Sequence, residues 1–156
     1  MAGLYYEEFE LGQQFKHPLY RTVTETDNLL FTALTHNPAR LHLDEEYCKN
    51  ETEYGQRIVN SCYTLALMVG ATVYDTTLGT TSGNLGWEEV RFPKPVFHGD
   101  TLHFETEIKD KRESKSRPKD GIVTFIHRAY NQRNELVATC VRVALMLKKP
   151  ASGVRA

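Results

Sequence analysis

Two polar residues five positions apart, Asn37 and His42, stand in the stretch THNPARLHLD, which covers residues 35–44. A histidine imidazole titrates near pH 6.5 in water, so it can both accept and donate a proton near neutral pH, as general acid/base catalysis requires. An asparagine amide forms hydrogen bonds but cannot ionise. The pair is chemically able to support a reaction in which His42 moves a proton and Asn37 orients a water molecule, but an isolated loop histidine is more often a surface or hydrogen-bonding residue, and the sequence around it has to decide between the two roles.

Asp44 is the acidic residue nearest to His42 in the sequence, and it has two interpretations. If the stretch is extended, residues 42 and 44 point the same way, and the carboxylate could share the proton transfer. Asp44 also directly precedes the residues EEYCKN, where an aspartate commonly caps a helix by accepting a backbone hydrogen bond. We favour the capping role.

A predicted helix precedes this stretch. The residues ETDNLLFTALTH carry Leu29, Leu30, Ala33 and Leu34 at helical spacing. Thr24 or Thr26 can cap its start, and Pro38 ends it, because the residue before a proline disfavours helical geometry. The stretch 35–44 is therefore predicted to follow the end of a helix.

A second, longer helix is predicted within residues 58–77, IVNSCYTLALMVGATVYDTT. Asn60 or Ser61 can cap it, and from Cys62 to Tyr74 it is apolar on nearly every face. A helix of that kind has to be surrounded by other elements on most sides. It is therefore predicted to be the centre of the fold.

The second half of the chain is predicted to supply the surrounding sheet. Its segments are rich in β-branched and aromatic residues, two of them alternate clearly, and the turn NQRNE predicts an antiparallel hairpin. An irregular first strand, with Pro18 at an edge or bulge, lies within residues 12–24. The fold class predicted is α+β, an antiparallel sheet of about five strands wrapped around a long central helix. The four long segments are 85–96, 100–114, 120–134 and 135–149.

Composition excludes several other classes of protein. The 156 residues carry 19 basic and 20 acidic side chains, which argues against a nucleic-acid binder. The three cysteines have no metal-ligand spacing, so no metal site is predicted. No apolar run is long enough to span a bilayer, and the N-terminus lacks a signal-peptide pattern. We predict a cytoplasmic protein with a single domain at 1–150 and a tail at 151–156.

Four pieces of the sequence, in order, resemble the MaoC-like dehydratase family, which includes the R-specific enoyl-CoA hydratases. They are YEEFELGQQF, LTHNPARLHLD, GQRIVNSCYTLAL and VRFPKPVFHGDTL. The loop with asparagine followed by LH and an acid looks most like the mesaconyl-CoA hydratase or β-methylmalyl-CoA dehydratase branch. The resemblance implies a hot-dog fold, reversible hydration of an α,β-unsaturated acyl-CoA, and a homodimer or higher homo-oligomer joined edge to edge.

The resemblance also implies roles for individual residues. His42 matches the catalytic histidine of the family's loop. The family's aspartate falls on Asn37 without gaps, or on Thr35 with a two-residue insertion, and it is absent in both alignments. The backbone N–H groups of Asn60, Ser61 and Cys62 match the family's oxyanion site, with Ser61 in place of the usual glycine. The Cys62 thiol itself is predicted to be packed in the helix rather than a nucleophile.

Coenzyme A would enter only as part of the substrate, and no other cofactor is predicted. Its phosphates could be met by basic side chains in two places, before the predicted strand 100–114 and at or just after its end. These candidates are Arg91, Lys94, Arg112, Lys115 and Arg117. Two alternatives remain: a hot-dog protein that binds acyl-CoA without turnover, and a thioesterase. A thioesterase would normally need a carboxylate near the start of the central helix, which offers none before Asp75.

Overall fold

The structure, a computed structural model, describes residues 3–150. The predicted tail at 151–156 lies outside the described residues. A short 3-10 turn at Tyr6–Glu8 precedes the first strand. The helices are α1 (Glu25–Leu34), α2 (Arg40–Leu43), α3 (Glu45–Glu51) and α4 (Ser61–Thr76). The strands are β1 (Gln14–Lys16), β2 (Arg21–Thr22), β3 (Thr81–Arg91), β4 (Thr101–Glu113), β5 (Asp120–Tyr130) and β6 (Leu136–Leu147).

The strands form one antiparallel sheet in the order β1-β4-β5-β6-β3, and β2 also pairs with β4. This arrangement, with α4 packed against the sheet, confirms the predicted hot-dog α+β fold. The predicted hairpin is confirmed, because Tyr130 of β5 lies opposite Leu136 of β6. The predicted segment 85–96 is only partly strand. β3 ends at Arg91, before Pro93 and Pro95, which cannot donate to a sheet ladder.

The central helix α4 is less enclosed than its sequence predicts. Its inward face buries Met68 and Ala71 against the sheet, and the side chain of Asn60 caps its start. The opposite face carries Cys62, Ala66, Gly70 and Tyr74, all exposed in the single chain. The sheet of one chain covers only one side of the helix. The prediction that Cys62 is a packed thiol is therefore wrong for the isolated chain.

A row of buried polar side chains crosses the sheet between two apolar clusters. His17 contacts Asp75 of α4 through Nδ1 at 3.0 Å and Thr106 Oγ1 through Nε2 at 2.8 Å. Thr106 Oγ1 in turn lies 2.9 Å from His127 Nδ1. Burial, followed by the nearby charges of Arg142 and His17, lowers the pKa of His127 to about 3. His127 is therefore neutral in the folded protein throughout the physiological range.

The low pKa of His127 predicts a loss of stability in mild acid. The unfolded chain takes up a proton near pH 6.5 and the folded chain only near pH 3, so the contribution is complete above pH 6.5 and declines as the pH falls towards 3. Between pH 7 and 5 it amounts to about 2 kcal/mol. Urea unfolding at both pH values should show this loss in the wild type and a smaller one in His127→Asn, whose amide can still reach Thr106. Equal pH dependence in the two proteins would contradict the assignment.

Candidate active site

The end of α1 determines where the candidate loop begins. His36 adopts a left-handed conformation with φ of 53°. Its N–H donates to the Ala33 carbonyl at 3.1 Å, and the N–H of Asn37 donates to the Thr32 carbonyl, also at 3.1 Å. These two hydrogen bonds together form a Schellman motif, which usually has a glycine at the left-handed position. The motif turns the chain sharply and brings Asn37 to the start of the loop.

The side chain of Asn37 forms a hydrogen bond within the loop. Its Oδ1 accepts a hydrogen bond from the N–H of Ala39 at 3.0 Å, an Asx turn that prepares the start of α2. Thr35, the other residue that could align with the family's aspartate, donates its hydroxyl proton to the Phe31 carbonyl at 2.9 Å. Asn37 therefore keeps only its Nδ2 group and a second Oδ1 lone pair for a water molecule.

His42 lies on the four-residue helix α2 rather than in an extended loop. Its ring Nδ1 is 2.9 Å from the carbonyl oxygen of Ile58. A carbonyl oxygen can only accept, so Nδ1 carries the proton when the ring is neutral, and Nε2 then presents a lone pair. No group within residues 3–150 bonds to this Nε2. The ring is therefore oriented as a general base requires.

Asp44 has a structural role. Its Oδ1 accepts the N–H of Tyr47 at 2.9 Å, which makes it the N-cap of α3, and Oδ2 accepts from Arg40 Nε at 2.9 Å. The Tyr47 amide, and then Arg40, lower the pKa of the Asp44 carboxyl below its usual range. The favoured interpretation of Asp44 as a cap is confirmed.

The start of α4 is attached to the helix that carries His42. The N–H of Ile58 donates to the Leu41 carbonyl at 3.1 Å, and the N–H of Val59 donates to the Val96 carbonyl at 2.8 Å. Because the Ile58 carbonyl also accepts from His42, this residue is held from both sides. The imidazole and the N-terminus of α4 thus belong to one hydrogen-bonded unit, with Ser61 three residues beyond Ile58.

The three backbone amides predicted as an oxyanion site have different partners. The N–H of Asn60 donates to Asn28 Oδ1 at 2.8 Å, and the N–H of Cys62 donates to Asn60 Oδ1 at 3.0 Å. The N–H of Ser61 has no acceptor within the described residues. As the first residue of α4, Ser61 also lies at the positive end of the helix dipole. The amide available to a ligand among these three is therefore that of Ser61.

A cavity of about 260 Å³ lies beside this amide. His42 and Asn37 do not line it, but Ile58, whose carbonyl holds the His42 ring, does. The cavity has an apolar wall suited to a short acyl chain and a basic side chain at Lys94. Its lining includes Ile58, Val59, Ser61, Thr64, Phe92, Val96 and Val137.

The basic residues predicted to bind coenzyme A fall into two groups. Lys94 lines the cavity and pairs with Glu135 at 2.5 Å, and Arg91 ends β3 one residue before the cavity residue Phe92. The second group, Arg112, Lys115 and Arg117, lies at or beyond the far end of β4. The eleven residue steps from Thr101 to Arg112 span roughly 36 Å along the strand, and no member of this second group lines the cavity.

A residue that the sequence did not single out, Asn28, lies at the centre of the site. The apolar residues that recur at helical spacing in α1 include Leu30 and Leu34, which are 58% and 72% exposed, whereas Asn28 and Thr32 are buried. The face of α1 that meets the loop and the start of α4 covers the backbone carbonyl groups of residues 42 and 58 and the N–H of residue 60, which need a polar partner rather than a leucine. Hydrophobic spacing alone could not reveal this reversal.

The structure also bears on metals and membranes. Within residues 3–150, no three His, Cys, Asp or Glu side chains come close enough together to hold a metal ion. Among the described helices, none has both the length and the apolar character needed to cross a bilayer.

Comparison with known proteins identifies the family to which most of the chain is similar. Residues 8–131 match the family described as MaoC like domain. Mesaconyl-CoA hydratase from Cereibacter sphaeroides is 33% identical over 150 residues, which cover 95% of this chain but only 42% of that protein. The chain thus spans less than half the length of this curated relative.

Two solved structures match this chain over nearly the whole length of both proteins. A monoamine oxidase regulatory protein from Archaeoglobus has a TM-score of 0.85 at 33% identity, covering 96% of this chain and 98% of that one. The (R)-hydratase from A. caviae has a TM-score of 0.72 at 27% identity, covering 92% and 99%.

Proposed function

The chain belongs to the MaoC-like domain family, and on that premise we propose that it reversibly adds water to an α,β-unsaturated acyl-CoA of the short enoyl-CoA or mesaconyl-CoA type. One observation carries the proposal: within residues 3–150 neither His42 Nε2 nor the Ser61 N–H has a hydrogen-bond partner, both groups are held by the segment from Ile58 to Ser61, and Ser61 lines a cavity with an apolar wall. The names of the mesaconyl-CoA hydratase and (R)-hydratase relatives support it.

The proposed reaction needs one base and one oxyanion site. His42 Nε2 takes a proton from water while the water oxygen bonds to the β-carbon, and the π electrons move through the α-carbon to the thioester oxygen. The Ser61 N–H stabilises the negative oxygen that develops. The protonated His42 then returns its proton to the α-carbon, and the thioester carbonyl re-forms. Asn37 Nδ2 can hold the water, and the proposed steps use only groups of this chain, with coenzyme A entering as part of the substrate.

A two-signal assay tests this proposal against the two alternatives. The purified protein is mixed with short enoyl-CoAs, including mesaconyl-CoA, while the absorbance of the conjugated thioester and the release of free thiol are followed together. We expect the absorbance to fall without thiol release. Binding without turnover on every acyl chain would indicate a non-catalytic acyl-CoA-binding protein, and thiol release would indicate a thioesterase.

We further propose that a second copy of the chain pairs with β3, giving a homodimer or a higher homo-oligomer that acts in the cytoplasm. The outer edge of β3 has no partner strand within the described residues, and Leu85, Trp87 and Val90 are exposed along it. An uncovered edge strand with apolar side chains can form backbone hydrogen bonds with a strand of another chain. The exposed face of α4 that carries Ala66 and Gly70 is a second surface that a neighbouring copy can cover.

The dimer proposal predicts the effect of a charge on this edge. Leu85→Lys should convert a dimer into a monomer at micromolar concentration, because it places a charge where a second copy would bury a leucine. Light scattering coupled to size-exclusion chromatography measures the mass directly. Leu11→Lys, at an exposed leucine shortly before β1 on the opposite edge of the sheet, is the matched control and should leave the mass unchanged. A monomeric wild type at high concentration would contradict the proposal.

A further inference from the structure

Asn28 contacts three separate parts of the candidate site at once. It is completely buried in α1. Its Oδ1 accepts the N–H of Asn60, the cap of α4, at 2.8 Å. Its Nδ2 lies 3.0 Å from His98 Nε2 and 3.4 Å from the carbonyl oxygens of both His42 and Ile58. One side chain thus joins α1, α2, the start of α4 and the segment before β4.

The chemistry of the partners fixes the orientation of this amide. The Asn60 N–H is a donor, so it must face Oδ1, and the two carbonyl oxygens are acceptors, so they must face Nδ2. Nδ2 has two hydrogens: the contact to His98 at 3.0 Å uses one, and the two carbonyls at 3.4 Å share the other. His98 Nε2 then accepts and its Nδ1 carries the proton.

The charge state of His98 agrees with this assignment. Burial, followed by the charge of Arg57, lowers the pKa of His98, while Glu25 and Glu45 act in the opposite direction. A neutral ring at neutral pH leaves Nε2 free to accept from Asn28. Every polar atom of the Asn28 amide is therefore engaged by a partner of the correct type.

We propose that Asn28 is a positioning residue that holds the His42 imidazole and the Ser61 amide at the separation the reaction needs. This rests on the proposed function. The amide binds the backbone of His42 itself, the carbonyl that orients the His42 ring, and the residue directly before Ser61. Removing it releases both reacting groups from their common support, and small displacements of reacting groups reduce rates strongly.

The isosteric variant Asn28→Asp tests this, with Thr32→Val as its matched control. An aspartate can still accept the Asn60 N–H but cannot donate to the carbonyls. Thr32 lies one turn further along α1, is equally buried, and its hydroxyl has no hydrogen-bond partner within the described residues. We expect kcat to fall on the order of tenfold or more in Asn28→Asp, with KM changed by less than about threefold. Thr32→Val should keep the wild-type kcat. A wild-type kcat in Asn28→Asp, or an equal loss in Thr32→Val, would overturn the proposal.

Nuclear magnetic resonance supplies a readout that does not depend on turnover. In Asn28→Asp we expect the pKa of His98 to rise, because a carboxylate now faces Nε2. The Ser61 amide and His42 ring resonances should shift, and none of these changes should appear in Thr32→Val. If the wild type hydrates no enoyl-CoA, the proposed function fails, and these spectra alone decide whether Asn28 holds the two groups. Unmoved Ser61 and His42 resonances would overturn the positioning role.

Discussion

Replacing His42 by asparagine is expected to lower kcat for hydration by a factor of about 10² to 10⁴, the range that a positioned acid/base contributes. The asparagine amide can still donate to the Ile58 carbonyl, which now accepts from His42 Nδ1 at 2.9 Å, so the loop should remain in place. What disappears is the lone pair on Nε2. The rate is measured by the loss of conjugated thioester absorbance, and the fold by circular dichroism.

His36→Asn is the matched control for this variant. It removes an imidazole six residues away, at a position whose φ of 53° asparagine tolerates well. The ring of His36 is exposed and serves no step of the proposed reaction. Its kcat should equal that of the wild type. If His42→Asn retained the full rate while folded, another group would have to be the base.

Ser61→Pro is expected to lower kcat by a factor of about 10² to 10³, the effect of removing one oxyanion donor. Ser61 is the first residue of α4, the position at which helices accept proline most readily, and its N–H has no acceptor within the described residues. Asn60 before it has ψ of 124°, which suits a residue preceding proline. The substitution therefore removes the amide hydrogen and the hydroxyl while it leaves the start of α4 in place.

Ser61→Ala separates the amide from the hydroxyl. It keeps the N–H, so its kcat should stay within about threefold of the wild type if the amide is the group that matters. Thermal melting of both variants checks that α4 is intact. Equal losses of kcat in the two variants would assign the effect to the hydroxyl and would remove the Ser61 amide from the mechanism.

The sequence predicted the parts of this site that depend on local rules. Asn60 and Asp44 are capping residues followed by helix-forming segments, and the structure places both as caps. The sheet followed from alternation and turn residues, because one face of each strand must meet the core. The unbroken apolar run of α4 identified the central helix but not its exposed side, which depends on how far the sheet of one chain extends.

Asn28 and His36 could not be predicted in the same way. Asn28 is buried because its partners are carbonyl groups from residues 42 and 58, and such long-range pairings leave no periodic signal in the sequence. His36 occupies a left-handed position where glycine would have marked the end of α1. The basic residues Arg112, Lys115 and Arg117 lie at or beyond the end of β4 that is far from Lys94. Closeness in the sequence did not show this distance, because it depends on the length of the folded strand.

A crystal structure of His42→Asn with the enoyl-CoA that the wild type hydrates fastest tests directly whether the Ser61 amide and residue 42 face the reacting atoms. The substitution should leave the substrate intact in the site. We expect the thioester oxygen within hydrogen-bond distance of the Ser61 N–H, the acyl chain in the cavity lined by Thr64 and Val137, and the β-carbon facing residue 42. An acyl chain bound elsewhere, or a thioester oxygen turned away from Ser61, would contradict it.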